Sequence, residues 1–479
     1  MLSKPLDSSI AFKPRLQVLT SEQLDMIHCA TLEVLERTGV ILTHRRAREI
    51  LQGAGARVDG KRVFIPSWLV EEALRSAPKR VVLGRRDGER EVFLERDRVW
   101  FGPSVDCVDY LDPLNGERRR FTSADCRVTA TVADALPNYT WVMTIGMAAD
   151  VAPDIADRVI AREVMSHCEK PLVFCCKDLD STRDIYEMAV TIAGSEERFR
   201  AAPPIVHYSE PISPLVHYDP AIDKLLFCVE KGIPLVYYPA PQAGSTAPMS
   251  LAGTLVQGSA ESLSGLVLAQ LARRGAPFIY GAFTTVMDMS TMVFSYGAPE
   301  MSLMTAAMAQ LAQRYGLPFF GTAGCSDAKM PDAQSAAEAV FSCLSSALSG
   351  ANLVHDSGWL DHGAVASPEY MVLVHEVLDM VNHYVSGLPV GMESLAIDLI
   401  DRVGPGGHFL QEPHTLQHFR EVWYSRLFDR TIYQQWVERG ADTFGERLRA
   451  RTLRAMEHKP APLAADVVRE IDAQARHWR

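Results

Sequence analysis

The sequence predicts an α/β fold: a (β/α)8 TIM barrel with an N-terminal α+β wrap and a helical C-terminal extension. From about residue 140, short apolar and β-branched runs alternate with longer helical patterns, which is typical of βα units around a parallel sheet. Breaks such as Gly232-Ile-Pro234 precede five of the runs, because glycine ends a helix and proline can begin a strand. Polar residues instead follow the runs, at the face where barrels build their sites.

Seven runs are predicted to be barrel strands, and a doubtful eighth is placed near Leu388 to Leu399. The seven are Trp141–Ile145, Leu172–Cys176, Ile205–Tyr208, Leu235–Tyr238, Phe278–Tyr280, Pro318–Phe320 and Leu353–His355. Seven clear units and one more favour a closed barrel over an open sheet.

Three regions divide the chain in this interpretation: the wrap over residues 1–120, the barrel over 121–410 and the extension over 411–479. Helices are predicted over 20–55 and from Pro66 to Ala77. Antiparallel strands are predicted at Arg80–Leu83, Glu91–Leu94 and Val99–Phe101. A chain of 479 residues exceeds the usual single core and fits a barrel with appendages.

Composition restricts the classes of function. Hydrophobic residues make up 47% of the chain, charged residues 22%, and the net charge is −11, which describes an ordered acidic protein and argues against nucleic acid as a partner. We find no membrane span and no signal peptide in the sequence. Nine cysteines without a Cys-x-x-Cys pair fit reduced thiols in a cytoplasm, and without His-Glu-x-x-His no metal site is predicted.

The most informative segment is residues 321–334, GTAGCSDAKMPDAQ, which follows the apolar run Leu317-Pro-Phe-Phe320. Its polar side chains stand where a strand of the barrel would end, so we interpret it as an active-site loop.

This loop resembles that of the trimethylamine:corrinoid methyltransferase family, in which Ser-Asp-Ala-Lys follows one special residue. The likeness covers most of the chain. It includes Leu19–His28 (LTSEQLDMIH), Leu251–Val256 (LAGTLV), Glu261–Leu271 (ESLSGLVLAQL), Pro299-Glu300, Tyr315–Pro318 (YGLP), Ser326–Lys329 (SDAK), Ala347–Asn352 (ALSGAN) and Asp429-Arg430. The resemblance implies a (β/α)8 barrel and methyl transfer from a methylated amine to Co(I) of a separate corrinoid protein, as in one-carbon metabolism of the methanogenesis type.

The chain departs from the family at Cys325, where the methylamine enzymes carry pyrrolysine. Cysteine cannot make the amine adduct attributed to pyrrolysine, whereas a quaternary ammonium leaves as a neutral amine without one. The resemblance therefore implies a quaternary amine as substrate, with glycine betaine as the leading candidate. It also implies that corrinoid (cobalamin) is carried by a partner protein and that no cofactor is bound tightly. Outward-facing apolar helices favour a homo-oligomer.

The predicted substrate-binding residues are aromatic, polar or acidic side chains near strand ends. Aromatic faces suit a quaternary ammonium, because it has no N–H to donate. The set is Tyr208, Glu210, Tyr238, Phe283, Cys325, Gln334, His355, Asp356 and Trp359, and the predicted loop-shaping residues are Asp327, Lys329, Asp332 and Glu338. No residue is assigned a catalytic role.

Ordinary interpretations stand beside these. Cys325 can be a buried thiol that fills space, the rings can be core packing, and His355 can bond only to the backbone. Two other functions stay open at this point. One is a zinc-dependent barrel methyltransferase, with Cys325, His355 and His207 as a fortuitous ligand trio. The other is a barrel that binds betaine without catalysis.

Overall fold

Eight short parallel strands form a ring in the computed structural model, which describes residues 13–103 and 106–478. In chain order they are β1 (Trp100–Phe101), β2 (Val142–Met143), β3 (Leu172–Phe174), β4 (Ile205–Ser209), β5 (Leu235–Tyr237), β6 (Phe278–Ile279), β7 (Phe320–Thr322) and β8 (Leu353–His355).

The ring closes through parallel pairing all the way round. Strands β2 to β6 pair in sequence order, and β7 pairs with β8. A bridge between Tyr280 and Phe319 joins β6 to β7, and Leu353 opposite Trp100 joins β8 to β1. The last join is between β1 and β2, where Phe101 bridges Tyr139. The architecture is therefore the predicted (β/α)8 barrel.

One helix follows each strand and packs beside its neighbours outside the ring. These helices are α1 (Ser123–Ala135), α2 (Ala156–His167), α3 (Leu179–Ala193), α4 (Asp219–Lys231), α5 (Leu251–Ala272), α6 (Pro299–Tyr315), α7 (Ala333–Ser349) and α8 (Pro368–Val385). A short helix, Glu196–Ala201, follows α3.

The strands are apolar on both faces because both faces are covered. Leu172, Val173 and Phe174 of β3 are all buried, with one set of side chains inside the ring and the other against the helices. Inside the ring, Trp141 and Phe320 pack with ring centroids 6.0 Å apart. Short strands suffice here, since each is held on two sides by backbone pairing.

The segment before the barrel covers α5 and the β4–α4 connection. Helix Ser21–Glu33 and helix Ser67–Ser76 pack on α5, and strand Val40–Leu42 pairs in parallel with Val216–His217. The remaining elements of this segment are the π-helical turn Val34–Thr38, helix Arg45–Gly53 and strands Arg57–Asp59, Arg62–Phe64, Val81–Gly84 and Arg90–Leu94.

Two helices of the C-terminal segment complete the outer layer: Phe444–Met456 packs on α1 and α8, and Ala465–Ala475 packs on α3. The other elements after the barrel are short: Met392–Leu395, Ile397–Val403, Pro413–His418, the 3-10 turn Phe419–Glu421 and Tyr433–Glu438. In the described part of the chain, no helix is both long and apolar enough to cross a membrane.

The seven clear predicted runs are all confirmed as ring strands, within one or two residues. The eighth is wrong: the stretch from Leu388 to Leu399 contains exposed helical turns. The missing strand is Trp100–Phe101, predicted as antiparallel but in fact parallel to β8. The run Val99–Phe101 was predicted as a strand, but no glycine or proline break stands directly before it, so it was assigned to the wrap rather than to the ring. The three-part division of the chain stays a prediction, and the ring uses one strand from the segment before residue 121.

Close packing between α5 and β5 gives a stability prediction. A Cβ on Gly265 would lie 2.8 Å from Cε1 of the Tyr237 ring, so Gly265→Ala should lower the free energy of unfolding by about 1–3 kcal/mol through overpacking. The matched control is Gly53→Ala, where an added Cβ meets no atom within 4 Å and alanine favours the helix. Thermal melting checks both, and an unchanged melting temperature for Gly265→Ala contradicts the packing argument.

Candidate active site

Side chains that point into the ring at its carboxyl end form an aromatic floor. Four rings, those of Tyr208, Tyr238, Phe320 and His355, pack with centroids 4.4 to 6.4 Å apart. They come from β4, the end of β5, β7 and β8. Alternation along each strand puts them on the inner face, since neighbouring side chains in a strand point to opposite faces.

Two carboxylates stand beside this floor. Glu210 follows β4, and its Oε2 lies 3.4 Å from the Tyr208 hydroxyl. Asp106 follows β1. The charges of Asp106 and Glu210 repel each other, and both act on the Cys175 thiol. Solvent reaches both carboxylates, yet burial among protein atoms raises the pKa of Asp106 to about 7, with Glu210 adding to the effect. We call the solvent-accessible region between the aromatic floor and these two carboxylates the recess.

The recess is acidic, but one buried lysine, Lys224, lies near it. Lys224 of α4 donates to the Cys176 carbonyl at 2.5 Å and acts electrostatically on both Asp106 and Glu210. Burial raises the pKa of Glu210, and Lys224 with the Tyr208 hydroxyl opposes that rise. Two carboxylates against one lysine leave the recess net negative when both are ionised.

Two buried donors on side chains near the floor have no hydrogen-bond partner in the described residues. They are the Tyr238 hydroxyl and the Trp359 indole N–H. Buried polar groups are normally paired, and an unpaired one costs roughly 1–3 kcal/mol. A polar ligand, or water in its absence, would satisfy both groups.

A β-hairpin after β6 closes over the floor. Its strands Thr285–Asp288 and Val293–Phe294 are antiparallel, and Tyr296 follows directly. The Tyr296 ring lies 5.1 Å from that of Phe283 and 5.7 Å from that of Phe294. Its hydroxyl interacts electrostatically with Tyr208, Tyr238 and Asp356, which places it above the floor.

Asp327 fastens this hairpin to the β7–α7 loop. Its carboxylate accepts the backbone N–H of Tyr296 at 2.8 Å and of Gly297 at 3.0 Å, and it also accepts the Ser295 hydroxyl. His362 Nδ1 lies 2.8 Å from the same carboxylate. One side chain therefore holds the base of the hairpin.

Glu338 of α7 shapes the loop from below. Its carboxylate accepts the Ser326 hydroxyl at 2.6 Å, the Asp327 N–H at 2.9 Å and the Gln334 amide at 2.8 Å. Asp332 caps the first turn of α7 by accepting the Ser335 N–H at 3.0 Å. These contacts fix the shape of the loop. Direct contact of Glu338 or Asp332 with the substrate stays a prediction.

A second, shallower cavity of about 560 Å³ opens at the rim beside the hairpin. Its lining includes Asp288, Asp327, Lys329, Gln334 and His362. Lys329 lies 3.1 Å from Asp361 and donates to the Asp327 carbonyl at 2.6 Å. The rim cavity is thus lined mostly by polar and charged residues, whereas the recess is bordered by aromatic rings.

His355 is fixed in one orientation at the floor. Its Nδ1–H donates to the Gly321 carbonyl at 2.7 Å, and its Nε2 lies 3.2 Å from Asp356. Burial lowers the pKa of His355, while the Asp356 charge and the Gly321 carbonyl act in the opposite direction. Asp356 also accepts the Thr322 hydroxyl.

Cys325 is buried at the start of the β7–α7 loop. Burial raises the pKa of its thiol well above the usual range, and the nearby charges of Asp356 and Asp327 reinforce this. The thiol is therefore protonated at neutral pH. A protonated, enclosed thiol is a poor nucleophile.

The zinc alternative has no support in residues 13–103 and 106–478. No group of three or more His, Cys, Asp or Glu side chains there could hold a metal ion. His207 packs against Phe174, with ring centroids 4.9 Å apart, and alternates with the inward Tyr208, so it lies outside the ring.

The structure separates the predicted residues into two groups. Tyr208, Glu210, Tyr238, His355 and Asp356 lie at the recess, with Cys325, Phe283 and Trp359 around it. Gln334 is instead exposed at the rim cavity, with Asp327, Lys329 and Asp332. Their roles in binding stay predictions.

Sequence reasoning missed three residues of the recess: Asp106, Cys175 and Tyr296. Asp106 follows the strand that was assigned to the wrap, so the first βα loop was not examined. Tyr296 stands 17 positions beyond the end of β6, too far along the chain to be recognised as a strand-end residue. Its available signal was the run Phe294-Ser-Tyr-Gly297 before a helix.

Comparisons with known proteins identify relatives along nearly the whole chain. The family model described as trimethylamine methyltransferase (MTTB) matches residues 6–477. A trimethylamine methyltransferase MttB of Desulfitobacterium hafniense is 34% identical over 447 residues, which is 93% of this chain and 90% of that protein. A glycine betaine methyltransferase of the same species is 32% identical over 464 residues, 96% of each chain.

Solved structures show weaker likeness. A hydroxylamine complex of MtmB superposes with a TM-score of 0.49 at 11% identity, covering 94% of this chain and 90% of that one. The monomethylamine methyltransferase of Methanosarcina barkeri gives 0.46 at 10% identity, with coverage of 91% and 92%. The barrel assignment therefore depends on the strand pairing above.

The Asp327 contacts predict a local effect. Asp327→Ala leaves the Tyr296 and Gly297 N–H groups without their acceptor, which should cost about 1–3 kcal/mol and loosen the hairpin. Hydrogen exchange of backbone amides over residues 285–297 should speed up, with little change in the barrel strands. Asp332→Ala is the control, since Asp332 accepts the Ser335 N–H at the start of α7, outside the hairpin. Equal protection in both variants would contradict the fastening role.

Proposed function

We propose that this chain, which belongs to the trimethylamine methyltransferase family, moves a methyl group from a quaternary amine to Co(I) of a separate corrinoid protein. Glycine betaine is the leading substrate, as it is by name for one relative. The observation that carries the proposal is the recess, in which aromatic rings and two carboxylates meet at the mouth of the barrel.

The recess matches the chemistry of a quaternary ammonium. Such a cation has no N–H, so it is held by aromatic faces and by charge rather than by hydrogen bonds. Tyr208, Tyr238 and Tyr296 supply the rings, and Glu210 and Asp106 supply negative charge within the same enclosure.

The carboxylate of a betaine also has partners. The Tyr238 hydroxyl and the Trp359 indole N–H are buried donors without an acceptor in the described residues. A carboxylate that accepts from both would remove the cost of leaving them unpaired. The recess thus offers acidic groups for the ammonium and donors for the opposite end of the molecule.

Little acid–base chemistry is needed from the protein. A Co(I) corrinoid on the partner supplies the nucleophile that accepts the methyl group. The C–N bond breaks with its electron pair on nitrogen, so the departing amine is neutral and takes no proton. This chain then positions the methyl group and excludes water. The protonated Cys325 thiol fits a lining role rather than a covalent one.

The test supplies Co(I) cobalamin with glycine betaine, proline betaine, carnitine and trimethylamine in separate reactions, and follows methyl-Co(III) by its absorption spectrum. We expect methylation from one quaternary amine and none from trimethylamine. Methylation from trimethylamine alone would overturn the substrate assignment. Tight binding of a betaine without methylation of cobalamin or of any corrinoid protein would favour a binding protein.

The raised pKa of Asp106 predicts pH-dependent binding. Below about pH 7 its carboxyl is protonated and neutral, and above that it is negative, so affinity for a quaternary ammonium should rise with pH. Glu210 and Asp157 strengthen the shift and Lys224 opposes it. Calorimetric titration of the donor between about pH 6 and pH 8 should show tighter binding at the higher pH, by at most roughly tenfold, because solvent at the exposed carboxylate screens part of the effect.

Asp106→Asn should abolish this dependence and bind weakly at every pH. The matched control is Asp154→Asn. Asp154 lies in the β2–α2 loop at the same end of the barrel, but it pairs with Lys177 at 2.8 Å. This pairing lowers the pKa of Asp154 and keeps its carboxylate ionised throughout. A pH dependence that survives in Asp106→Asn would assign the titration to another group.

A further inference from the structure

Exposed apolar side chains of the barrel gather around its mouth. Most of the exposed large hydrophobic residues between 100 and 385 lie in βα loops: Leu114, Met147, Ile212, Met249, Met289, Met292, Val293 and Met330. The others, Leu303, Phe341 and Tyr384, are on helices. In the described residues, none lies in the αβ connections at the opposite end.

Five of these residues come from four consecutive loops and form what we call the methionine arc: Ile212, Met249, Met289, Met292 and Met330. Their exposed fractions are 54%, 58%, 60%, 65% and 58%. Because β4 to β7 are neighbours in the ring, their loops are neighbours at the mouth. Met249 and Met289 also meet across two loops, since both sulfur atoms lie within 3.4 Å of a Cβ placed on Gly244.

The loops that carry most of the arc are almost uncharged. Residues 210–218, 238–250 and 280–298 contain two charged side chains, Glu210 and Asp288, although 22% of the whole chain is charged. Glu210 faces the recess, which leaves Asp288 as the charge on this part of the rim. Depletion of charge with enrichment in methionine distinguishes the core of a protein–protein interface from ordinary surface.

Methionine suits a partner that binds transiently. Its unbranched side chain repacks against different shapes at little cost and is common at adaptable binding surfaces. A permanent cover over this arc would also close the recess, which must admit a donor and release an amine in every turnover. The occupant must therefore be one that leaves.

We infer that the methionine arc is the docking surface for the cobalamin-carrying partner protein. The inference rests on the proposed function, because that function requires the methyl acceptor to reach the recess through the mouth that the arc borders. A protein seated there would present its corrinoid to the floor of Tyr208, Tyr238 and His355, and its own contact surface should be apolar.

A second apolar surface is distinct from the arc. Exposed residues between Leu388 and Val437 belong to the segment after α8, where Trp423 and Ser425 bond to Asp379 and Glu376 of that helix. These two contacts hold Trp423 and Ser425 against α8, outside the ring. This second surface does not compete with the arc for the methyl acceptor.

The test compares two methyl acceptors in the same enzyme. Met249→Asp/Met289→Asp places charge in the arc without touching the aromatic floor. The matched control is Leu303→Asp/Phe341→Asp, whose residues are exposed by 47% and 54% on α6 and α7. Methylation of free Co(I) cobalamin is measured beside methylation of a recombinant small corrinoid protein, chosen from a panel as the one that wild type methylates fastest.

We expect the arc variant to lose at least tenfold in kcat/KM for the corrinoid protein and to keep its rate with free cobalamin, while the control variant keeps both. Equal loss with both acceptors would overturn the inference, because it would place the arc in donor binding. So would a wild type that methylates free cobalamin but no corrinoid protein. A change of oligomeric state in the arc variant, seen by light scattering, would assign the arc to a second copy.

Failure of the proposed function has a different signature. A wild type that methylates neither free cobalamin nor any corrinoid protein, from any donor, removes the activity itself and the inference with it. A wild type that is active with both acceptors, and an arc variant equally active with both, overturns the docking surface and leaves the function intact.

Discussion

Closure of the ring by β1 is the constraint on which the site depends. Trp100 and Phe101 pair with β8 on one side and reach Tyr139 on the other, so two residues join the two ends of the sheet. That closure brings Asp106, which follows β1, to the same side of the barrel as Glu210, which follows β4. Without it, the sheet would stay open and the two carboxylates would not face each other across a ring.

Alternation along the strands then decides what faces the recess. Tyr208 points inward and the neighbouring His207 outward, and the same rule separates Cys175 from Cys176, whose sulfur contacts Thr182 and whose carbonyl accepts Lys224. A shift of one residue in the register of β4 would put His207 or Ser209 on the inner face in place of Tyr208. Backbone pairing on both sides of every strand makes such a shift costly, so the fold protects the chemistry of the site.

Much of the fold could be predicted from sequence because each clear strand is an apolar run of three or more residues, and five of the seven runs follow a glycine or proline break. The run Leu172-Val-Phe174 is buried on both faces, and it has the composition expected of a parallel strand. Trp100–Phe101 has no such run, and its role comes from tertiary pairing that no local pattern encodes. The exposed stretch near Leu388 was apolar enough to be mistaken for the eighth strand.

The site was predictable where it follows a strand directly, as for Tyr208, Tyr238 and His355. It was not predictable where a loop folds back. Tyr296 reaches the recess because Asp327, 31 positions later, accepts its backbone N–H. Gln334 illustrates the reverse case: it belongs to the signature loop but turns to Glu338 and the rim. The farther a residue lies along the chain from the end of its strand, the less the sequence alone shows about its position in the site.

The proposed donor site and the proposed docking surface meet in one hairpin. Met289 and Met292 stand near its tip, Tyr296 at its base, and Asp327 holds that base to the β7–α7 loop. Pairing of Gln242 with Thr285 ties the same hairpin to the loop that carries Met249. A partner that presses on the tip therefore acts on an element whose other end covers the aromatic floor. Coupling between two sites needs a structural element that both contact, and in this barrel the hairpin is that element.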